Sequence, residues 1–509
     1  MSEKTTTPSS DSATASDDLP EQLRIRREKR LSIIERGAQP YPVSVPRTKS
    51  LKVIREENAD LEIDVVTGKF ESVTGRVIFK RDTGKLCFAN IREGDGTQLQ
   101  VMLSLDKVGQ EVLDQWKSEI DLGDLVSVTG EIITSKRGEL SILANSWLLA
   151  AKSLRPLPVE HKPMSEEARV RMRYVDLIVR PEARAMARLR PAVMTSLRNS
   201  FTQRDFIEVE TPMLQVTHGG ATARPFVTTS NAYELELFLR IAPELFLKRC
   251  VVGGMEKVFE INRNFRNEGA DSSHSPEFAM IESYEAYGDW NSIAQLTKSL
   301  VQEAAIAVSG SHVVTHHDGR ILDLGGEWRE ASLFDLISEG VGEKVTPQTS
   351  YEELKLIATK LGIKIDPKWI TGKLAEEIFE RVTEGQLNQP IFVKGYPVDT
   401  SPLVRAHRDI PGLVEKWDLY VEGFELATGY SELIDPVIQR ERLVEQAMLG
   451  AKGDLEAMRI DEDFLRAMEY AMPPTGGMGM GVDRLLMVLT GLGIRETILF
   501  PLVKPEETD

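Results

Sequence analysis

The chain has 509 residues, with 62 basic against 79 acidic side chains and a formal charge of −17, so it has no overall attraction for phosphate. At roughly 150 residues per domain this length allows about three domains, and 41% apolar residues are ample for a buried core. Two cysteines, Cys87 and Cys250, exclude a disulfide framework and a Cys-rich zinc module and fit a reduced compartment; separately, no stretch approaches eighteen uncharged apolar residues, so a membrane span is not expected.

Residues 1–20 are rich in Ser, Thr and Asp with no apolar signal segment, and are expected to form a disordered tail. From Glu21 to Arg36 the pattern becomes a basic, partly amphipathic helix, either solvated or facing phosphate. Between residues 70 and 150 five strands are expected: Val73–Lys80, Leu86–Ile91, Gln98–Leu103, Leu125–Ile133 and Leu140–Leu149. A helix over Lys107–Ile120 separates the third from the fourth, the order of a five-stranded OB barrel, although spacing alone permits another small barrel. Residues 21–150 thus make one domain. Residues 151–180 read as a linker rich in Pro and Arg. Residues 181–505 alternate helices with strands, including helix 181–204, strands Val258–Asn264 and Trp417–Val421, and a closing helix after Asp483. The fold class is therefore α+β, a barrel followed by a catalytic domain. Residues 340–385 interrupt that domain as a charged, helical insertion.

No G-x-x-x-x-G-K-[ST] occurs, because Gly84-Lys85 is followed by Leu86, and HExxH, CxxC and G-x-S-x-G are missing too. Three segments place ionisable groups in strand-like, apolar settings where burial is costly without a partner. The first, Val258 to Gly269, leads through a polar loop into Pro276–Tyr284, giving two antiparallel strands. In the second, Trp417–Glu425, a hairpin at Glu422-Gly423 would bring Asp418 and Glu425 onto one face, a pair suited to a hard cation. Simple alternation would point Glu432 the other way unless Gly429 marks a bulge. The third runs from Gly476 to Gly481 into a helix opening with Asp483-Arg484, where glycine permits close approach of backbone to ligand.

Together these segments resemble the three motifs of the class II aminoacyl-tRNA synthetases, subclass IIb, and within them most closely the bacterial lysyl enzymes. Phe206-Ile207-Glu208-Val209-Glu210-Thr211-Pro212 is similar to motif 1, Phe265-Arg266-Asn267-Glu268-Gly269 to motif 2, and Gly481-Val482-Asp483-Arg484 to motif 3. Gly219–Phe226, Ala242-Pro243-Glu244-Leu245 and Gly429–Leu433 extend the likeness, the last two separating lysyl from aspartyl and asparaginyl members. The resemblance implies an α+β catalytic domain built on an antiparallel sheet flanked by helices. It also implies ATP-dependent activation of L-lysine, with transfer to the 3′ end of tRNA(Lys), by a cytoplasmic homodimer with no membrane attachment.

Carried over residue by residue, Arg266 and Arg484 become the catalytic cations, with Glu268, His274 and Phe278 completing the ATP site. Lysine falls to Gly220 and Glu244 at its α-amino group, with Glu282, Tyr284 and Glu432 at its distal ammonium and Thr428 near its carboxylate. Asp418 and Glu425 are expected to hold Mg²⁺, and Arg76, Phe88, Gln100 and Glu139 to meet the anticodon. Phe88 could instead belong to the barrel core, His274 could be a loop residue bonded to backbone, and Glu282 could pair internally with an arginine. Two positions depart from the family pattern: Thr428 where many members have Asn, and Ser273 where a loop arginine contacts the triphosphate. The weighed alternatives are a relative that transfers lysine to a non-tRNA acceptor and a tRNA-binding regulator without catalysis.

Overall fold

The structure, a computed structural model, describes residues 20–158, 163–269, 271, 274–451 and 457–505. The expected tail lies outside them except for Pro20, and so does Ser273. The chain divides into two compact units, Met1–Arg184 and Ala185–Asp509.

The first unit begins with α1 (Glu21–Glu35) and α2 (Leu51–Glu57), followed by β1 (Val66–Asp82), β2 (Leu86–Arg92) and β3 (Gln98–Ser104). The segment expected as one helix over 107–120 is broken at Gly109, whose φ of 81° suits glycine, into α3 (Leu105–Val108) and α4 (Gln110–Glu119). Then come β4 (Leu125–Thr134), β5 (Leu140–Ala151), α5 (Glu166–Arg171) and α6 (Arg173–Val179), the last two placing helix within the stretch read as a linker. The strands close into a barrel of order β1-β2-β3-β5-β4. Alternation explains the closure: Cys87, Ala89 and Ile91 of β2 and Leu99, Val101 and Leu103 of β3 all point into a dry interior. Phe88 lies between inward residues and faces outward, half-buried, so it is not core.

Part of the basic face of α1 is committed within this unit. Arg26 is buried and donates to the carbonyls of Leu122 and Ser153 at 2.9 Å each. Lys29 pairs with Asp121 at 2.6 Å and Arg36 with Glu119 at 2.7 Å. Those cations anchor the helix to the barrel, which favours neither the wholly solvated nor the wholly phosphate-facing reading.

The second unit takes its chain from α7 (Pro181–Gln203) through β6 (Ile207–Glu208), β7 (Leu214–Gln215), β8 (Val227–Ser230), β9 (Leu235–Leu239) and α8 (Glu244–Val252). β10 (Lys257–Phe265), β11 (Glu277–Ala286) and α9 (Trp290–Ser309) follow, then β12 (Val313–Thr315), β13 (Ile321–Asp323) and β14 (Arg329–Ser332). Next are α10 (Leu333–Val341), α11 (Tyr351–Lys360), α12 (Thr371–Val382), β15 (Ile391–Lys394), β16 (Lys416–Val421) and β17 (Phe424–Ser431). α13 (Pro436–Ala451), α14 (Glu462–Met468), β18 (Thr475–Gly481) and α15 (Val482–Thr490) complete it.

Eight strands form one sheet of order β14-β15-β16-β17-β18-β11-β10-β6. Its interior is antiparallel as expected, but both outermost pairs, β14 with β15 and β10 with β6, are parallel. α7, α9 and α15 cover one face through Leu197, Phe201, Ile293, Leu300, Leu485 and Leu486. The helices of the 340–385 insertion are not a loose appendage: Leu354, Leu374, Ile378 and Phe379 share a core with Val393 and Tyr420 of the sheet.

The glycine-rich segment is not a loop. It is the central strand β18, and its missing side chains admit those of its neighbours. A Cβ on Gly476 would stand 2.5 Å from Ile293 Cγ1 of α9, and one on Gly477 would stand 1.9 Å from Glu432 Oε1 on the opposite face.

Candidate active site

Strand register builds the site in two rows across the uncovered face of the sheet. Cross-strand partners run Glu282–Gly479–Thr428–Asp418 in one row and Tyr284–Gly477–Tyr430–Lys416 in the next. Laterally paired residues share a face, so charge-bearing groups remote in sequence come together over a glycine floor. The cavity above them has a volume of about 430 Å³. Gly220, Glu244, Arg266, Glu268, His274, Phe278, Glu282, Tyr284, Glu425, Thr428 and Arg484 line it. Asp418 and Glu432, both buried, are not among the residues that line it.

The Glu422-Gly423 hairpin forms as expected, with φ of 56° and 81° at its two central residues, the signature of a type I′ turn. A register shift follows between Leu419 and Tyr420, where Leu426 is the extra residue on β17. This bulge sits at Leu426, not at Gly429. It turns Glu425 onto the face shared by Thr428, Tyr430 and Glu432, so Glu432 does not point away.

One side of the cavity is cationic. Arg266 places its guanidinium carbon 5.1 Å from the centre of the Phe278 ring, and its buried Nε has no hydrogen-bond partner among the described residues. Burial pulls its pKa below the ordinary arginine value, while Glu268, Glu425 and Glu282 oppose that fall. Arg484 donates to the Glu425 carbonyl at 2.6 Å. Asp483 is structural: it ion-pairs with Arg190 and accepts the Ala279 amide at 2.7 Å. Glu268 and His274 are exposed at the rim; Glu268 accepts weakly from the Arg224 amide at 3.4 Å, and His274 Nδ1 lies 3.0 Å from Asp271.

The other side is acidic. Burial, then Glu244, pushes Glu282 well above the usual carboxylate range, and burial does the same to Tyr284, whose hydroxyl lies 3.4 Å from Glu282 Oε2. Among the described residues Glu282 has no arginine ion pair. Lys248, which the sequence reading overlooked, is fully buried with Glu244 Oε1 and Glu432 Oε2 each 2.6 Å from its Nζ. Burial pushes Glu432 up to about 7 against the pull of Lys248. The signal was present in the sequence: Lys248 stands four residues after Glu244 on one helix, a spacing at which side chains meet.

Thr428 donates to Asp418 Oδ1 at 2.5 Å, and Lys416, also overlooked, lies 3.0 Å from Oδ2. Among the described residues no cluster of three or more His, Cys, Asp or Glu could hold a metal alone. Two carboxylates brought to one face beside a pair of arginines nevertheless match Mg²⁺ carried on phosphates, which takes one or two protein carboxylates.

In the barrel, Arg76, Phe88 and Gln100 face outward from β1, β2 and β3. Arg76 donates to the Gly123 carbonyl at 2.7 Å, Gln100 Oε1 accepts from Ser141 at 3.0 Å, and Glu139 pairs with Arg55 at 3.1 Å. The register adds Phe79 and Asn90, which the sequence reading did not select: Phe79 opposes Asn90 and Asn90 opposes Gln100, with Phe79 48% exposed.

Residues 165–504 match the family model described as tRNA synthetases class II (D, K and N), and residues 71–150 match the OB-fold nucleic acid binding domain. A lysine–tRNA ligase of Kineococcus radiotolerans is 64% identical over 96% of this chain and 98% of its own length. One of Mycobacterium tuberculosis is 58% identical over 97% of this chain and 99% of its own. The lysylphosphatidylglycerol biosynthesis bifunctional protein LysX of Rhodococcus opacus is 46% identical over 96% of this chain but only 43% of its own length. With a catalytic unit and an OB barrel both matched, and near full-length identity to these ligases, the chain belongs to the class II tRNA synthetases of the D, K and N group.

Proposed function

We propose that this chain is a lysine–tRNA ligase that condenses L-lysine with ATP to lysyl-adenylate and pyrophosphate, then passes the lysyl group to the 3′ end of tRNA(Lys). The observation that carries the reading is one cavity with two arginines on one side and buried acids on the other. That polarity suits an amino acid whose carboxyl end meets a nucleotide while a second ammonium lies at its far end.

An amino-acid carboxylate has a pKa of about 3.3–3.7 and needs no general base, so the first step rests on positioning and charge stabilisation. Arg266 bridges the lysine carboxylate and the α-phosphate, its free Nε supplying one donor. A carboxylate oxygen bonds to the α-phosphorus as the bond to pyrophosphate breaks. Phe278 and Arg484 flank the adenine, with Glu268 and His274 at the rim. Asp418 and Glu425 are the residues that would hold Mg²⁺, which neutralises phosphate charge when bound. Thr428 acts through Asp418, which its hydroxyl orients, in place of the amide common in the family. Gly220 and Glu244 hold the α-ammonium, and Glu282 and Tyr284 meet the distal one with Glu432 behind them.

Arg76, Phe88, Gln100 and Glu139 present the barrel wall to anticodon bases, where stacking and edge hydrogen bonds suffice for a uridine-rich triplet. A homodimer is supported by the exposed apolar residues Ile207, Leu214, Val216, Val227 and Tyr233 around motif 1. No helix among the described residues is long and apolar enough to cross a membrane.

ATP–pyrophosphate exchange with each standard amino acid, followed by charging of purified tRNA, tests the proposal. Exchange with lysine alone and lysylation of tRNA(Lys) are expected. Lysine-dependent exchange without charging would point to another acceptor, and no exchange at all to a regulator.

A further inference from the structure

The buried ammonium of Lys248 has no place in the chemistry above. It lies on α8, is fully inaccessible, and bridges two carboxylates from separate elements: Glu244, four residues earlier on the same helix, and Glu432, at the end of β17. An unpaired lysine is too costly to bury by chance, and a bridged one fixes whatever it bridges. Glu432 Oε2 forms an ion pair with Lys248; neither of its buried oxygens has a hydrogen-bond partner among the described residues, and Oε1 has no ion pair either. That free oxygen occupies the space a Cβ on Gly477 would fill, 1.9 Å from that position, beside the Tyr284 ring that lines the cavity.

We propose that Lys248 is the positioning residue for lysine selection: its ammonium pins one oxygen of Glu244, the acid at the substrate's α-ammonium, and one of Glu432, the acid that backs Glu282 and Tyr284 at the distal ammonium. The inference rests on the reading of this cavity as a lysine site and deepens it. Charge closes around it. Glu244, Glu282 and Glu432 supply three carboxylates, which Lys248 and the two ammonium groups of a bound lysine balance, leaving the substrate carboxylate to Arg266. Without Lys248 the two acids repel each other, one takes up a proton, and neither stays in place.

The test is pyrophosphate exchange by the full-length enzyme carrying Lys248→Met. The lysine KM is expected to rise roughly 30-fold or more, the loss typical when one partner of a buried charged pair is removed. The ATP KM, set on the arginine side, is expected to stay within about twofold. Preference for lysine over norleucine, which has the same number of chain carbons without the ammonium, is expected to fall with it. Unchanged lysine KM and unchanged preference would overturn the proposal. So would a drop in kcat with both KM values unmoved, since that is the pattern of a merely structural role. Lys248→Gln, which keeps donors but loses the charge, is read by the same criteria should the Met variant fail to fold. The unsubstituted enzyme is the control: if it shows no lysine-dependent exchange, the proposed function fails rather than this inference.

Discussion

Gly477 and Gly476 are neighbours on one strand, yet they serve opposite faces of the sheet, and substitutions there separate selection from stability. A Cβ at Gly477 meets Glu432 Oε1 at 1.9 Å and the Tyr284 ring at 2.7 Å. Since neither position lies in the left-handed region, the effect of alanine is steric, not conformational. Gly477→Ala should therefore displace the acid and raise the lysine KM roughly 5–150-fold, the equivalent of the 1–3 kcal/mol that overpacking costs. At Gly476 the obstruction is Ile293 of α9 and the Asp289 carbonyl. Gly476→Ala should lower the melting temperature while leaving the lysine KM within about twofold. Steady-state exchange and thermal unfolding on the two variants check the division, and a common phenotype would refute it.

At the level of elements, the barrel wall gives a prediction that does not touch activation. Phe88 faces outward because Cys87 and Ala89 on either side are core, and Phe79 reaches the same outer face through the shift after Val77 in β1. Aromatic stacking on an unpaired base is worth about 1–3 kcal/mol, so Phe88→Ala should raise the tRNA KM roughly 5–150-fold and leave pyrophosphate exchange unaltered. Phe79→Ala should act the same way, and equal loss of exchange in either variant would contradict the assignment. The same elements show what a sequence can and cannot reveal. Glu282 and Arg266 were legible as cavity-lining residues because each sits in or next to an apolar strand that polar groups interrupt, and Arg484 because it opens the helix after a run of glycines. Glu432 was not, since its direction depends on an extra residue at Leu426 that alternation cannot locate. Lys248 was missed because one lysine on a helix looks solvent-facing until the strand carrying Glu432 covers it. That the Gly476–Gly481 run is a strand was not legible either, because glycine disfavours strands and only the side chains of its neighbours explain why β18 tolerates it.

Across the whole molecule, the buried acids make stability depend on pH in a direction opposite to ordinary acid denaturation. Burial pushes Glu432 and Glu384 up to about 7 from an unfolded value near 4.5. As pH falls from 7 to 4.5 the folded chain gains protons that the unfolded chain does not yet bind, so these groups stabilise the fold progressively. His218, buried against Phe238 with ring centres 5.0 Å apart, works the other way. Burial, then Arg459, pulls its pKa down to about 4 from 6.5, so the unfolded chain takes the proton first and stability is lost over nearly the same range. Two raised acids outweigh one depressed histidine over this range. The ligand-free protein should accordingly melt higher near pH 5.5 than at pH 8, and Glu432→Gln should shrink the difference. On the proposed reading, bound lysine favours the opposite protonation state, because an ionised Glu432 supports the substrate's distal ammonium and a protonated one does not. The rise in melting temperature on saturation with lysine should be larger at pH 8 than at pH 5.5; a larger rise at the lower pH would mean that the acid behind Tyr284 takes no part in holding the substrate.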